Sequence, residues 1–250
     1  MSTRITPLRL EGFEQLPKHA RRCVFWEVDP STVAGEDHLA DPEFEKEAWL
    51  SMVMLEWGSC GQLAVQAPRG RDLEDDLDAV ITGDEPCLGY AFYAPPASVP
   101  RARLFPTAPV SADAILLTTV GVDSAECAED MSAGLLSAVI TDLVRRGVRA
   151  LEAFAYTPAL TELDDLAALP PELAPVVKVL GDCTVGQCML DAGFLTDVGF
   201  TVVAPHPYFP RLRLELDKGL GWKAEVEAAL ERLLESARLE APVGAGSCFP

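Results

Sequence analysis

Apolar residues run almost unbroken through 115–122 (Ile-Leu-Leu-Thr-Thr-Val-Gly-Val), a β-branched pattern that predicts a strand buried on both faces. Leu135, Leu136, Val139, Ile140, Leu143 and Val144 then recur at helical spacing and make one apolar face. Arg145 and Arg146 fall in the last turn, where cations suit the helix dipole, and Gly147 can close the helix in the left-handed conformation. Residues 148–155 return to a strand pattern. Strand, crossover helix and neighbouring strand make a βαβ unit, and the loop entering its helix is a natural anion site.

The same reading extends along the chain. Residues 8–16 predict a short helix after an opening strand or arm, and 23–28 (Cys-Val-Phe-Trp-Glu-Val) a strand that buries Phe25 and Trp26. Asp41 caps a helix from Pro42 to Trp57, with proline well placed in its first turn. Trp49, Leu50, Val53, Met54 and Trp57 share its core face. Two strands follow, at 61–66 and 86–93, separated by an exposed connection at 68–84 rich in Asp, Arg and Gly. Several prolines make 94–113 an irregular link, whose Arg101 and Arg103 either reach a phosphate or are solvated. The segment 157–182, with Pro158, Pro170, Pro171 and Pro175, is an insertion with room for one short helix. A helix over 183–198, ending at Gly199-Phe200, leads to strands at 201–204 and 210–216. Residues 220–239 predict a last helix, docked on the domain or offered to a second copy. The expected organisation is one domain over 1–218, a docked helix over 219–240 and a mobile tail over 241–250.

Charge and cysteine usage narrow the function classes. A net charge of −19 on 250 residues argues against nucleic acid or an anionic membrane as partner, since both select basic patches; it suits a cationic amine or simple solubility. No apolar run approaches the roughly 20 residues that span a bilayer, and 1–20 lacks the pattern of a secretory signal, so a cytoplasmic protein is expected. The seven cysteines, Cys23, Cys60, Cys87, Cys127, Cys183, Cys188 and Cys248, form no C-x-x-C pair. Their scatter signals no metal site and predicts buried thiols in a reducing compartment.

The βαβ unit resembles the cofactor-binding core of the GNAT acyltransferase superfamily, which moves an acyl group from coenzyme A to an amine. In that superfamily a strand ending in Val precedes a Gln/Arg-x-x-Gly-x-Gly/Ala loop around the coenzyme A pyrophosphate. Counting from Val122, the Gln/Arg position is Cys127, the two glycines become Asp130 and Ser132, and the apolar helix anchor is Leu135. The Gly199-Phe200 helix end before two antiparallel strands is a second match in the right order. The chain is further similar to an actinobacterial-type branch with a closing His-Pro and a Trp-Lys-x-Glu-Val-Glu segment. This resemblance implies an α/β fold, a mixed, twisted central sheet with helices on both faces. It implies acetyl-CoA as co-substrate, without a metal. The pantetheine arm would pair with the backbone of Val120 and Val122, and the pyrophosphate would face Cys127, Asp130, Met131, Ser132, Ala133 and Gly134. The Asn and Tyr that commonly face the cofactor fall on Cys188 and Leu195, and leucine cannot protonate a departing thiolate.

Acyl transfer also needs a base for the amine. Glu152, on the strand after the crossover helix, and His206, between two prolines in a turn bordering the acceptor side, are the candidates. Each has an ordinary alternative, a solvent-facing strand residue and a structural turn residue. Cys188 has no His or Asp placed by sequence to activate it as an acyl carrier. The expected activity is acetyl transfer from acetyl-CoA to a small-molecule or protein amine, with a homodimer possible. The alternative is a degenerate GNAT domain that binds acyl-CoA or a protein partner. No Gly-x-Ser-x-Gly or metal motif supports a hydrolase.

Overall fold

A computed structural model of the chain describes residues 3–29, 41–66, 86–122, 128–161, 171 and 185–216. The expected connection at 68–84, Cys127, most of the 157–182 insertion, the 219–240 helix and the 241–250 tail lie outside them. One mixed sheet organises the rest. Its strands are β1 (Thr3–Pro7), β2 (Gly61–Gln66), β3 (Cys87–Ala94), β4 (Ala114–Val122), β5 (Ala150–Tyr156), β6 (Leu190–Asp191), β7 (Thr201–Ala204) and β8 (Arg211–Glu215). They run in the order β1-β2-β3-β4-β5-β8-β7, with β6 beside β5. The β4–β5 and β5–β6 pairs are parallel and the others antiparallel.

Helices cover both faces, as expected for the α/β class. On one face lie α1 (Lys18–Arg22) and α2 (Pro42–Glu56), packed with Leu63, Phe92, Leu116 and Phe154. On the other lies α3 (Ala128–Arg145), whose Leu135, Leu136, Val139, Ile140 and Leu143 meet Ala91, Leu117 and Leu151. Among the described residues no helix is long and apolar enough to cross a membrane.

Local chemistry accounts for the helix ends. The Asp41 side chain accepts hydrogen bonds from the amides of Glu43 and Phe44 at 3.2 and 3.1 Å, capping α2. Gly147, at φ 73°, terminates α3: its amide donates to Val144 O, and the Val148 amide donates to Leu143 O. Arg146, in the closing turn, donates to the carbonyls of Trp57 and Ser59 at 2.6 and 2.8 Å and stacks 3.5 Å over Trp57. The end of one helix thereby satisfies the end of the other.

Two expected elements take other forms. Residues 23–28 are a turn, not a strand. A short apolar run does not distinguish a strand from a buried bend, and here side chains hold the bend. The Arg101 guanidinium lies 4.2 Å over the Phe25 ring and donates to Phe25 O. Trp26 stacks on Phe105 and Phe154 at 5.2 and 6.3 Å. Arg101 is thus buried in the core, where burial lowers its pKa to about 10. The expected 183–198 helix is broken into a turn (Val185–Cys188), the β6 pair and a helix (Ala192–Asp197). Asp191 starts that second helix by accepting from the Phe194 amide at 2.8 Å, while its own backbone pairs with Tyr156.

Candidate cofactor groove and acceptor cleft

β4 and β5 pair only where Ala114, Ile115 and Leu116 face Ala150, Leu151 and Glu152. Beyond Leu116 they part. Pairing with β3 shifts register between Phe92 and Tyr93, and Thr118, at that bulge, donates its hydroxyl to Phe92 O at 3.1 Å. Among the described residues no strand pairs with the β5-facing edge of 117–122, the stretch that contains Val120 and Val122. Residues 119–122 are half-buried, whereas 114–118 are buried.

The opposing edge of β5 is occupied. β6 pairs there in parallel register, Ala155 with Leu190 and Tyr156 with Asp191. Cys188, Met189 and Leu190 are all buried. The Trp26 indole donates to Cys188 O at 2.7 Å and fixes the segment from the α1 side. The gap between the strands therefore has one bare wall, on β4, and one covered wall, on β5.

At the gap's far end α3 begins at Ala128. The first-turn amides of a helix have no intrahelical acceptor and favour an anion. Asp130 is exposed, Met131, Ser132 and Gly134 are half-buried, and Ala133 is buried. Met131 packs on β3, where a Cβ at Gly89 would stand 3.2 Å from its Cγ.

On the α1–α2 face, a cleft beside Thr119 is lined by His19, Cys23, Glu27, Lys46, Tyr90 and Gln187, with room for about one water molecule. Lys46 and Glu27 form an ion pair at its base, their side chains 2% and 1% exposed. Burial pushes the Glu27 carboxyl above its ordinary value, outweighing the attraction of Lys46. Lys46 Nζ also sits 4.3 Å over the Phe92 ring. Burial likewise raises the Tyr90 phenol well above its usual range.

Glu152 is fully buried, away from this cleft's lining. Its carboxylate accepts from Arg213 at 3.1 Å, from Arg211, and from the Ser111 amide at 3.2 Å. Burial pushes its pKa up, and these hydrogen bonds outweigh burial and hold it below the ordinary value. His206 Nδ1 accepts from the amides of Tyr208 and Phe209 at 3.1 and 3.0 Å. Its remaining proton is consequently on Nε2 in the neutral ring. Cys188 faces Cys23, with Sγ atoms 3.5 Å apart, and Leu195 is core on the α3 face. The sequence reading did not single out His19, Cys23, Glu27, Lys46 or Tyr90. Its one available signal was the His19–Cys23 spacing, four residues, which places both side chains on one side of a helical turn.

No protein-family model matches the chain, and neither does any curated protein. Solved structures of similar chain path include the PaiA N-acetyltransferase from Thermoplasma acidophilum in complex with coenzyme A, at 14% identity and TM-score 0.43, covering 86% of this chain and 99% of that one. The ribosomal-protein-S18-alanine N-acetyltransferase from Escherichia coli is similar at 12% identity and TM-score 0.38, covering 88% and 97%. An N-acetyltransferase from Staphylococcus aureus is similar at 12% identity and TM-score 0.42, covering 87% and 100%. On its own element order, a central parallel pair joined by a crossover helix, parting beyond Leu116 and closed by an antiparallel hairpin, the chain has the mixed α/β sheet with helices on both faces that the sequence resemblance implies.

Proposed function

We propose that this chain is an acyl-CoA-dependent N-acyltransferase that transfers acetyl from acetyl-CoA to an amine. The supporting observation is the bare edge of β4 at 117–122, which points toward the start of α3. In this reading the pantetheine amides add to that edge at Val120 and Val122, as an extra strand would. The pyrophosphate lies at the amides of Asp130, Met131, Ser132, Ala133 and Gly134. The cofactor is anchored by β4 alone, because β6 covers β5. The acceptor amine approaches β4 from the α1–α2 face, the side on which the water-sized cleft beside Thr119 opens.

Glu152 and His206 then act as positioning groups. Two guanidiniums hold the carboxylate of one, and two amides hold the Nδ1 of the other. The amine loses its proton to water in the cleft, and the departing thiolate takes one from solvent, since Leu195 offers only carbon. The rate accordingly rises with pH up to the amine's own pKa, without a plateau near that of a histidine.

The second reading, a domain that binds acyl-CoA without turning it over, is favoured by the same engagement of Glu152 and His206. Calorimetric titration of acetyl-CoA, with free coenzyme A as comparison, separates the readings when combined with thiol release across an amine panel. Binding that Ser132→Trp abolishes, together with amine-dependent release, supports the transferase. Binding without release supports the second reading. Absence of binding at millimolar ligand overturns both.

A further inference from the structure

We propose that His19, Cys23 and Cys188 form a zinc(II) site with a fourth position turned to the cleft. The two Sγ atoms are 3.5 Å apart, and a ring nitrogen of His19 lies within 4.8 Å of both. Zinc bonds thiolate sulfur at about 2.3 Å and imidazole nitrogen at about 2.0 Å, so tetrahedral ligands stand about 3.3–3.8 Å apart. Small side-chain rotations bring the three donors to that geometry.

Two features hold them there, and a third calls for a ligand. His19 and Cys23 lie one helical turn apart, and the Cys23 amide donates to His19 O at 2.7 Å. Cys188 comes from a segment 165 residues away; its backbone carbonyl is fixed by the Trp26 indole at 2.7 Å, which holds the main chain that carries the thiol. The Nε2 of His19 is buried with no hydrogen-bond partner among the described residues, and a buried polar atom in that condition calls for a ligand. His19 and Cys23 also line the cleft, together with Gln187 and Thr119, so water from the cleft completes the coordination.

Two thiolates and an imidazole suit zinc and exclude hard cations such as magnesium and calcium, which take oxygen ligands. Binding converts two thiols to thiolates and releases their protons, so affinity rises with pH. The metal ties α1 to the segment that covers the β5 edge. Because zinc binding needs no coenzyme A, the site stands or falls apart from the acyltransferase reading.

The test is titration of the metal-free, phosphine-reduced 250-residue protein with zinc(II) against a chromophoric chelator, repeated with cobalt(II) as a spectroscopic probe. One tight equivalent is expected, with the ultraviolet thiolate-to-cobalt charge-transfer bands of a tetrahedral site. Cys23→Ala and Cys188→Ala abolish that equivalent. His19→Ala weakens it by more than the roughly 100-fold that loss of an outer-shell partner can cost, and Cys60→Ala retains it. Zinc raises the melting temperature of the parent protein and leaves that of Cys188→Ala unchanged. Should Cys188→Ala fail to fold, the cobalt spectrum of the parent protein still decides. Absence of a tight equivalent, a cobalt spectrum without charge-transfer bands, or unchanged affinity in folded Cys23→Ala overturns the proposal.

Discussion

The ring of Tyr90 lies across Gly121, so close that a Cβ at Gly121 would stand 2.5 Å from its Cζ. Tyr90 and Gly121 are register partners on β3 and β4, and the ring also lines the cleft on the α1–α2 face. A side chain at position 121 would therefore push an aromatic wall of the cleft toward Phe92, 5.2 Å away. Gly121→Ala is expected to destabilise by about 1–3 kcal/mol, the usual cost of overpacking. Tyr90→Phe should not rescue it, because the clashing Cζ and Cε1 remain, whereas Tyr90→Leu should recover part of the loss. Urea denaturation of the three combinations checks this order.

Glu27 and Lys46 offer a different test. Both are buried, so removing either partner leaves the other as an uncompensated charge, which costs about 3–5 kcal/mol. Replacing both, by Glu27→Leu with Lys46→Met, should cost far less than the sum and can be stabilising. A double-mutant cycle in denaturant measures the coupling; additive losses would refute it.

Acid should act on Glu27 and Glu152 with opposite signs. Glu152 is held below its ordinary 4.5 in the fold, so its stabilisation is present above pH 4.5 and is lost as pH falls through the lower folded value. Glu27 is raised above 4.5, so its contribution is present below pH 4.5 and is lost as pH rises through the higher folded value. Glu152→Gln should remove the loss below pH 4.5, and Glu27→Gln should remove the loss above it. Stability measured from pH 3 to 8 in each variant reads both slopes.

His206 should behave as a turn clasp. Burial lowers its pKa below 6.5, and protonation at Nδ1 would cost it both amide donors. Its contribution is therefore present above pH 6.5 and lost as pH falls through the lower folded value. His206→Ala should lower stability at pH 7.5 by about 1 kcal/mol and leave the pH profile of any acyl transfer unshifted. A profile that loses an ionisation in this variant would restore His206 as a proton carrier.

The framework of the fold was legible because its signals are local and repeated. The apolar run of β4, the six-residue stripe of α3 with Gly147 behind it, and Asp41-Pro42 before α2 each announce an element through neighbouring residues. The misread segments depend on distant partners. Nothing near residues 23–28 shows that Arg101 will fold over Phe25, and nothing near 188–191 shows that β5 will leave an edge for two residues to occupy. The strand whose edge is left unpaired at 117–122 was announced by its own apolar run. Glu152 could be placed on its strand, but not the two arginines of β8 that hold it. The thiol–imidazole cluster was out of reach for the same reason, since Cys188 stands far from Cys23 in the sequence.

The pairing of Tyr156 with Asp191 also closes a circle in the chain. The backbone leaves the sheet after Tyr156 and returns beside it at Leu190 and Asp191, with Gly186 close to the Tyr156 hydroxyl. Whatever lies between starts and finishes at one point on the sheet. Its two ends, Leu160 and Cys188–Met189, are buried in the core, so a change of length between them leaves the strand register and the β4 wall unaltered, whereas replacing either end does not.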